Sequence, residues 1–415
     1  MAPGGGVGFG GGPRPPGPRR PARRGGGGRG GGAAPPAGPA EVLTAAGLPP
    51  ARAREALARW PRADAPSAAD LAARVRLLGE VAGLRGAGLD TAVARNPAVL
   101  WMASGALEAK VAWLQGLGQS AAWVPTVLSR HPSLLAMRLD TLEGRVAWLA
   151  AEGFDPAQRQ RILKFFPQVL MRNELSMQDR LVWLETEAGL GEAGARRAVY
   201  KAPALLGVSY AALEERWGWL QALGLAPGQL AFLVGRAPQA LAHSVDYMQA
   251  RVDWLAGRGL RPEQVTKCLS RAPEVLLQTL ERMEARVACL EALGLDGADL
   301  VDTLCTYPRV LLYSPESIRA KLGFLTGKGF PVVRAARCMT YSLGRMQARV
   351  SAWEDAQAAA RRAGHHPEGE GTAPWGGKRG APPTPMALLA PSDEEFTSRL
   401  GMSMEAYARV AERGA

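Results

Sequence analysis

The sequence contains few of the residues that build metal and catalytic sites. Its 415 residues include four cysteines and four histidines. The cysteines stand singly at Cys268, Cys289, Cys305 and Cys338, and the absence of a CxxC pair excludes the usual zinc-ligand spacing. The chain also lacks a GxxxxGK(S/T) phosphate loop and a GxGxxG turn between a strand and a helix. We therefore expect no catalytic activity, no metal, no cofactor and no small-molecule substrate.

Long hydrophobic runs are absent as well. Hydrophobic residues make up 47% of the chain, enough for a sizeable core, and the mean hydropathy is −0.08. No apolar run approaches the roughly 18 residues of a membrane helix, so we expect no membrane contact. The charge is unbalanced, because 50 Lys and Arg stand against 38 Asp and Glu, a net charge of +12. This excess favours an acidic partner, with nucleic acid first.

The first 40 residues contain no acid, no serine and no threonine, but 16 glycines, nine prolines and six arginines. Such a segment buries too little apolar area to offset the entropy of ordering, so it is predicted to be a disordered tail. It has no apolar stretch and is not a secretory signal. Its arginines suit an organelle transit peptide, whereas the missing Ser and Thr do not. An RGG-like tail around residues 24–29, or plain low complexity, are the alternatives.

An internal repeat governs the chain from residue 41. Each unit has a proline with a glycine 14 residues before it, and in seven of the eight units a leucine stands three residues after the proline. The prolines recur every 35 or 36 residues, at Pro61, Pro97, Pro132, Pro167, Pro203, Pro238, Pro273 and Pro308. The first unit has Asp64 in place of the leucine. The period indicates tandem copies of one structural unit.

Each unit is predicted to contain two helices. Apolar residues lie eight, five and four positions before the proline, as in Val265, Cys268 and Leu269, on one helical face. Proline ends this helix, and a second amphipathic helix ends at the glycine, which suits a positive φ. Asp155 followed by Pro156 is typical of a helix start. The fold class is therefore all-α, a superhelical solenoid of about eight tandem helix-pair repeats.

The repeats suggest four segments. Residues 1–40 form the tail, residues 41–353 the repeat array and residues 354–391 a linker rich in glycine and proline towards its centre. Residues 392–415 are predicted to form short amphipathic helices, with Ser392 capping the first.

Two positions of the repeat are basic in most units. The position sixteen residues after each proline is called the Trp-type position, because it holds Trp in five units and Leu77, Cys289 or Phe324 in the others. Three residues before it, a base stands in all eight units: Arg74, Lys110, Arg145, Arg180, Arg216, Arg251, Arg286 and Lys321. Two residues before the prolines stand Arg95, Arg130, Lys201, Arg236 and Arg271, and also Arg59, whereas Phe165 and Thr306 interrupt the series. We call these the second-helix ladder and the first-helix ladder. Equivalent positions of a solenoid line up along one surface, so both ladders are candidates for phosphate contact.

Each ladder also has a structural interpretation. A cation in the last turn of the first helix can donate to the free carbonyls at the end of that helix and interact favourably with the helix dipole. A base beside the apolar stripe of the second helix can bury its stem and place its head at a neighbouring repeat. The Trp-type positions themselves, among them Trp148 and Trp254, are predicted to pack in the core rather than to stack on bases.

The units resemble those of the mTERF (mitochondrial transcription termination factor) family. The similarity is carried by residues 130–135 (RHPSLL), 145–149 (RVAWL), 271–277 (RAPEVLL) and 307–312 (YPRVLL). Residues 341–349 (YSLGRMQAR) are similar to the family's closing segment, with one residue fewer and Ala348 where proline is usual. This match adds Arg345 and Arg349 to the candidate binding residues.

The resemblance implies a curved solenoid of helix pairs joined by short 3₁₀ turns, and a non-catalytic nucleic-acid-binding protein of a chloroplast or mitochondrion. We expect a monomer that binds duplex DNA or RNA and regulates organelle gene expression, through transcription initiation or termination or through RNA processing. The alternative is a solenoid scaffold for protein partners. A pentatricopeptide-type protein shares the period, but its helices are not closed by PxxL.

Overall fold

A computed structural model describes residues 38–60, 66–362 and 383–413. These residues form 22 α-helices and seven 3₁₀ helices, and no strand occurs among them. The α-helices are α1 (Pro39–Ala45), α2 (Pro50–Ala58), α3 (Ala68–Val81), α4 (Ala87–Arg95), α5 (Ser104–Gly116), α6 (Trp123–Arg130), α7 (Leu139–Ala151), α8 (Pro156–Phe165), α9 (Glu174–Thr186), α10 (Gly191–Lys201), α11 (Tyr210–Ala222), α12 (Pro227–Arg236), α13 (Val245–Gly257), α14 (Pro262–Arg271), α15 (Leu280–Glu291), α16 (Gly297–Thr306), α17 (Pro315–Gly327), α18 (Val332–Ala336), α19 (Leu343–Arg362), α20 (Pro385–Leu389), α21 (Asp393–Leu400) and α22 (Met404–Arg413).

The predicted unit of two helices is confirmed, and a 3₁₀ helix joins them from the second unit to the eighth. The 3₁₀ helices are Pro97–Leu100, Pro132–Ala136, Pro167–Met171, Pro203–Gly207, Pro238–Ala242, Pro273–Leu277 and Pro308–Leu312. Each begins at the repeat's proline, which fixes φ and cannot continue the helix before it. The leucine three residues later is buried, as Leu170 and Leu276 show. The equivalent turn of the first unit, with Pro61 and Asp64, lies outside the described residues.

Helix ends follow the signals in the sequence. Asp155 caps α8 by accepting a hydrogen bond from the amide of Gln158 (2.8 Å), with Pro156 in the first helical position. All eight repeat glycines have a positive φ, as predicted, and so does Gly329 in the place of a ninth. At Gly259 (φ 93°) the chain turns so that the amide of Leu260 reaches back to the carbonyl of Leu255 (3.3 Å).

The units stack so that like elements become neighbours. Helix α12 packs against α10 and α14, α11 packs against α13, and successive 3₁₀ helices contact each other. We call α2, α4, α6, α8, α10, α12, α14, α16 and α18 the first-helix row, and α3, α5, α7, α9, α11, α13, α15 and α17 the second-helix row. A continuous apolar core runs between the rows. The Trp-type residues pack against this core, as predicted, and Trp183 and Cys289 are buried within it.

Three boundaries differ from the sequence analysis or extend it. Helix α1 begins at Pro39, inside the predicted tail, whose residues 1–37 lie outside the described part of the chain. Helix α19 continues past residue 353 to Arg362, because the intervening residues are mostly Ala, Gln and charged helix formers. The predicted linker also ends too late, because helix α20 (Pro385–Leu389), capped by Thr384, lies inside it; residues 363–382 lie outside the described ranges. The predicted C-terminal helix pair is confirmed as α21 and α22, with Ser392 capping α21.

Candidate nucleic-acid interface

The second-helix ladder points across to the following unit. Seven of its side chains donate a hydrogen bond to a carbonyl oxygen there: Arg74 to Met102, Lys110 to Leu135, Arg180 to Val208, Arg216 to Leu241, Arg251 to Gln278, Arg286 to Tyr313 and Lys321 to Met339. The eighth, Arg145, forms an ion pair with Glu174 of the next second helix. Up to Tyr313, the accepting carbonyls lie near the end of a 3₁₀ helix. The ladder therefore connects each second helix to the turn of its neighbour.

Burial limits what this ladder offers to a ligand. Arg251 and Arg286 are only 6% and 8% exposed. The Nε of Arg251 donates to the carbonyl of Gln278 (2.8 Å), its Nη1 donates to that of Tyr247 (2.7 Å), and its guanidinium lies over the Tyr247 ring. Desolvation lowers the pKa of four members, Lys110, Arg216, Arg286 and Lys321. Phosphate contact by this ladder stays a prediction, and the geometry favours the alternative of a head placed at the neighbouring repeat.

The first-helix ladder is exposed and lies along one row. Arg95 donates to the carbonyl of Arg130 (2.8 Å), Lys201 to that of Gly235 (2.8 Å) and Arg271 to that of Thr306 (2.7 Å). Arg236 forms an ion pair with Glu274 (2.6 Å), and the guanidinium of Arg130 makes no hydrogen bond or ion pair within the described part of the chain. The three carbonyls belong to the last turn of the next first helix, where they lack a helical partner. Each bond uses only part of its side chain's donors.

The interruption of this ladder at Phe165 is compensated from the same helix. Arg161 precedes Phe165 by one helical turn, and its Nε donates to the carbonyl of Tyr200 (2.9 Å), at the end of the next first helix. This carbonyl corresponds to the one that Lys201 reaches in the following unit. Arg161 is not among the residues predicted from the sequence. An arginine one turn before the interrupted position was the available signal.

Charge is divided between the two rows. The first helices contain fourteen bases and six acids, and the bases are Arg52, Arg54, Arg95, Arg130, Arg159, Arg161, Lys164, Arg196, Arg197, Lys201, Arg236, Lys267, Arg271 and Arg334. The second helices contain sixteen acids and eleven bases. Eight of those eleven belong to the second-helix ladder, which leaves only Arg76, Arg282 and Arg319. The surface of the first-helix row is therefore basic and that of the second-helix row is acidic.

A comparison with protein families agrees with this architecture. The mTERF family model matches residues 75–361, well over half of the chain. The chain belongs to the mTERF family. Members of the family are generally nucleic-acid-binding regulators of organelle gene expression and are not enzymes. No curated protein matches the chain significantly.

The closing segment of this mTERF protein faces inwards. Arg349 is fully buried, and its Nη1 donates to the carbonyls of Leu388 (2.9 Å) and Pro391 (2.8 Å). Its Nη2 pairs with Asp393, and Arg345 also donates to the carbonyl of Pro391 (2.8 Å). Both arginines attach α19 to the C-terminal helices. The guanidinium of Arg349 has no surface to offer a phosphate, whereas phosphate contact by Arg345, whose side chain is partly exposed, stays a prediction.

The described residues offer little for other chemistry. No group of three His, Cys, Asp or Glu residues that could hold a metal occurs in residues 38–60, 66–362 and 383–413. The four cysteines are free and buried, and burial raises the pKa of Cys268 and of Cys338 to about 12. No helix in this part of the mTERF protein has the length and apolar character needed to cross a membrane.

Proposed function

We propose that this mTERF protein binds a nucleic acid along its first-helix row and thereby regulates gene expression in a chloroplast or mitochondrion. The regulated step is transcription initiation or termination, or RNA processing. The observation that carries the proposal is the division of charge, since the first helices carry fourteen bases against six acids whereas the second helices have an excess of acids. A polyanion is attracted to the first face and repelled by the second.

The exposed cations of the first-helix ladder supply the phosphate contacts. Arg95 and Arg271 each give one hydrogen bond to the backbone of the next unit, which fixes the direction of the side chain. A guanidinium has five N–H donors, so the remaining donors stay free for a phosphate. Because the repeat units stack in register, about one such cation per unit lies along the row.

A charge-matched pair of variants tests this interface. We expect Arg95→Gln, Arg130→Gln and Arg271→Gln together to weaken binding to DNA and RNA, because they remove exposed cations from the proposed surface. The control replaces Arg76, Arg282 and Arg319 by Gln, which removes the same charge from exposed positions of the other row. Binding is measured by fluorescence anisotropy between 50 and 200 mM salt.

The salt dependence makes the result specific. If the wild type contacts six to ten phosphates, its affinity falls by about 10³- to 10⁵-fold over that range. In the first-row variant, the slope of log affinity against log salt concentration becomes shallower by roughly 0.7 to 0.9 for each phosphate contact removed. The control variant keeps the wild-type slope. Equal losses of affinity in the two variants would show that only the net charge of the protein matters, and would contradict the proposed surface. A wild type that binds neither DNA nor RNA would favour the scaffold alternative.

Identifying the bound sequence and the compartment requires an experiment on isolated organelles. Crosslinking in isolated chloroplasts and mitochondria, followed by sequencing of the bound nucleic acid, identifies the polymer, its sequence and the organelle together. Recovery of no nucleic acid from either organelle would contradict the proposal. Import of the full chain, compared with a chain that lacks residues 1–40, tests whether the tail directs it there.

A further inference from the structure

The first-helix row carries three exposed aromatic side chains in three consecutive units. Phe165 on α8 is 58% exposed, Tyr200 on α10 39% and Phe232 on α12 51%. The other large apolar residues of this row face the core or pack against it. Exposing an aromatic ring to water is unfavourable in free energy. Three such rings grouped on the basic row therefore indicate a binding surface for a ligand with a flat apolar face.

The first two rings form a stacked group with an arginine. The guanidinium of Arg161 lies 4.7 Å from the centroid of the Phe165 ring and 4.8 Å from that of the Tyr200 ring. Lys164 lies 5.5 Å from the Phe165 ring, and Lys201 follows Tyr200 in the sequence. The hydrogen bond from Arg161 to the Tyr200 carbonyl holds this arrangement. The group therefore places two exposed rings beside two lysines.

The third ring stands at a depression between α10 and α12. This depression has a volume of about 340 Å³ and is lined by Phe232, Arg197 and Arg236, with Gly194 and Gly235 among its other residues. The two glycines keep side chains out of the space. The side chain of Arg197 is exposed and makes no hydrogen bond or ion pair among the described residues. An exposed ring and an unpaired guanidinium beside an open depression of this volume fit a planar base with its phosphate.

We propose that the fourth to sixth units bind an unpaired stretch of nucleic acid, whose bases stack on Phe165, Tyr200 and Phe232 while neighbouring cations contact its phosphates. The inference rests on the proposed function, since it places the polymer on the first-helix row. In a duplex the faces of the bases are covered by their neighbours, so exposed rings gain stacking only from unpaired bases. Packed helices lie about 8–10 Å apart, farther than the 3.4 Å between stacked bases, which suits a splayed strand.

Phe165→Leu combined with Phe232→Leu tests the inference. Leucine keeps an apolar side chain of similar bulk but removes the flat ring. The probes are a labelled RNA of alternating C and U, a DNA of the same sequence, and the duplex of each with its complement. The control is Tyr210→Leu, which removes a ring that is 50% exposed on the second-helix row. Far-UV circular dichroism checks that each variant is folded.

We expect the double variant to bind the single strands more weakly by about 10-fold or more, since each stacked base contributes about 5- to 100-fold in affinity. Its duplex affinity and salt slope stay at wild-type values, because no cation is removed. Tyr210→Leu binds all probes like the wild type.

Two outcomes would overturn the inference and leave the proposed function intact. One is a wild type that binds the duplexes but not the single strands. The other is a double variant with unchanged single-strand affinity, or with equal losses on single strands and duplexes. A wild type that binds none of the probes would instead overturn the proposed function. A preference for RNA over DNA, or the reverse, identifies which unpaired strand is bound.

Discussion

Replacing Arg251 by methionine tests whether the second-helix ladder stabilises the stack of units. The side chain is 6% exposed and spans from α13 to the carbonyl of Gln278 in the next unit. Methionine keeps most of the apolar stem and removes the guanidinium. The change therefore removes the polar contacts and leaves most of the packing.

The contacts that are lost set the magnitude. A hydrogen bond from a charged donor contributes about 1.5–3 kcal/mol, and a carbonyl left without a partner costs about 1–3 kcal/mol. The Gln278 carbonyl has no other backbone partner among the turn and loop hydrogen bonds of the structure. The contact of Arg251 with the Tyr247 ring, 3.4 Å from its centroid, adds about 0.5–2 kcal/mol. Because arginine also loses hydration on burial, we expect a net loss of about 2–3 kcal/mol of unfolding free energy.

Arg271→Met is the matched control. Arg271 also donates to a carbonyl of the next unit, that of Thr306 at 2.7 Å, but it belongs to the exposed first-helix ladder. Water can replace this bond, so we expect a loss of at most about 1 kcal/mol. Urea unfolding followed by circular dichroism measures both variants, and an unchanged m value shows that the unfolding reaction is the same.

The reasoning fails if Arg251→Met and Arg271→Met destabilise the protein equally, or if Arg251→Met changes the unfolding free energy by less than about 0.5 kcal/mol. Nucleic-acid affinity is measured on the same samples. A stable Arg251→Met protein with weakened binding would support phosphate contact by the second-helix ladder instead. A destabilised protein with unchanged affinity for the polymer would support the connecting role of Arg251.

Three further predictions concern the fold. Gly224 has a φ of 77° and no atom within 4 Å of a new Cβ, so we expect Gly224→Ala to lower the unfolding free energy by about 1 kcal/mol through backbone strain alone. Gly257 has equal space but no positive φ, so Gly257→Ala is neutral or stabilising. Urea unfolding measures the difference between the two variants. Burial and nearby arginines lower the pKa of His131 and of His243 in the folded protein. The unfolded chain therefore binds protons more readily, and the unfolding free energy falls as the pH drops below about 6.5. Replacing both histidines by Asn flattens this dependence of stability on pH, and an unchanged dependence would contradict the prediction. The four buried thiols, with the pKa of Cys268 at about 12, react slowly with Ellman's reagent in the native protein and rapidly in urea; fast native labelling would show that the core opens.

The local architecture was predictable because each of its signals acts within a few residues. Proline disfavours the α region for its predecessor, and glycine permits the positive φ at which a helix ends; both effects are local to the residue. The 3₁₀ helices that start at the prolines and the turns at Gly153 and Gly259 follow from these rules. The extension of α19 to Arg362 was missed because the repeat pattern ends there, whereas helix propensity continues.

The roles of the two ladders could not be derived from spacing. A residue that contacts a ligand and a residue that contacts the next unit both recur once per repeat, because both depend on the same translation between units. The difference lies in what each side chain meets across the interface. Arg286 meets the carbonyl of Tyr313 and is buried, whereas Arg130 meets solvent. That distinction requires the packing distance and orientation of neighbouring units, which one sequence period does not contain.

Charge summed by row avoids this ambiguity, and it could have been read before the structure was known. The helix boundaries follow from proline and glycine, so every charged residue can be assigned to a first or a second helix. Even with the second-helix ladder counted, the second helices contain eleven bases against sixteen acids, whereas the first helices contain fourteen bases against six acids. A phosphate backbone would be repelled along that row and attracted along the other. The exposed rings of Phe165, Tyr200 and Phe232 lie on the attractive row, so electrostatics and stacking favour the same face for the same strand.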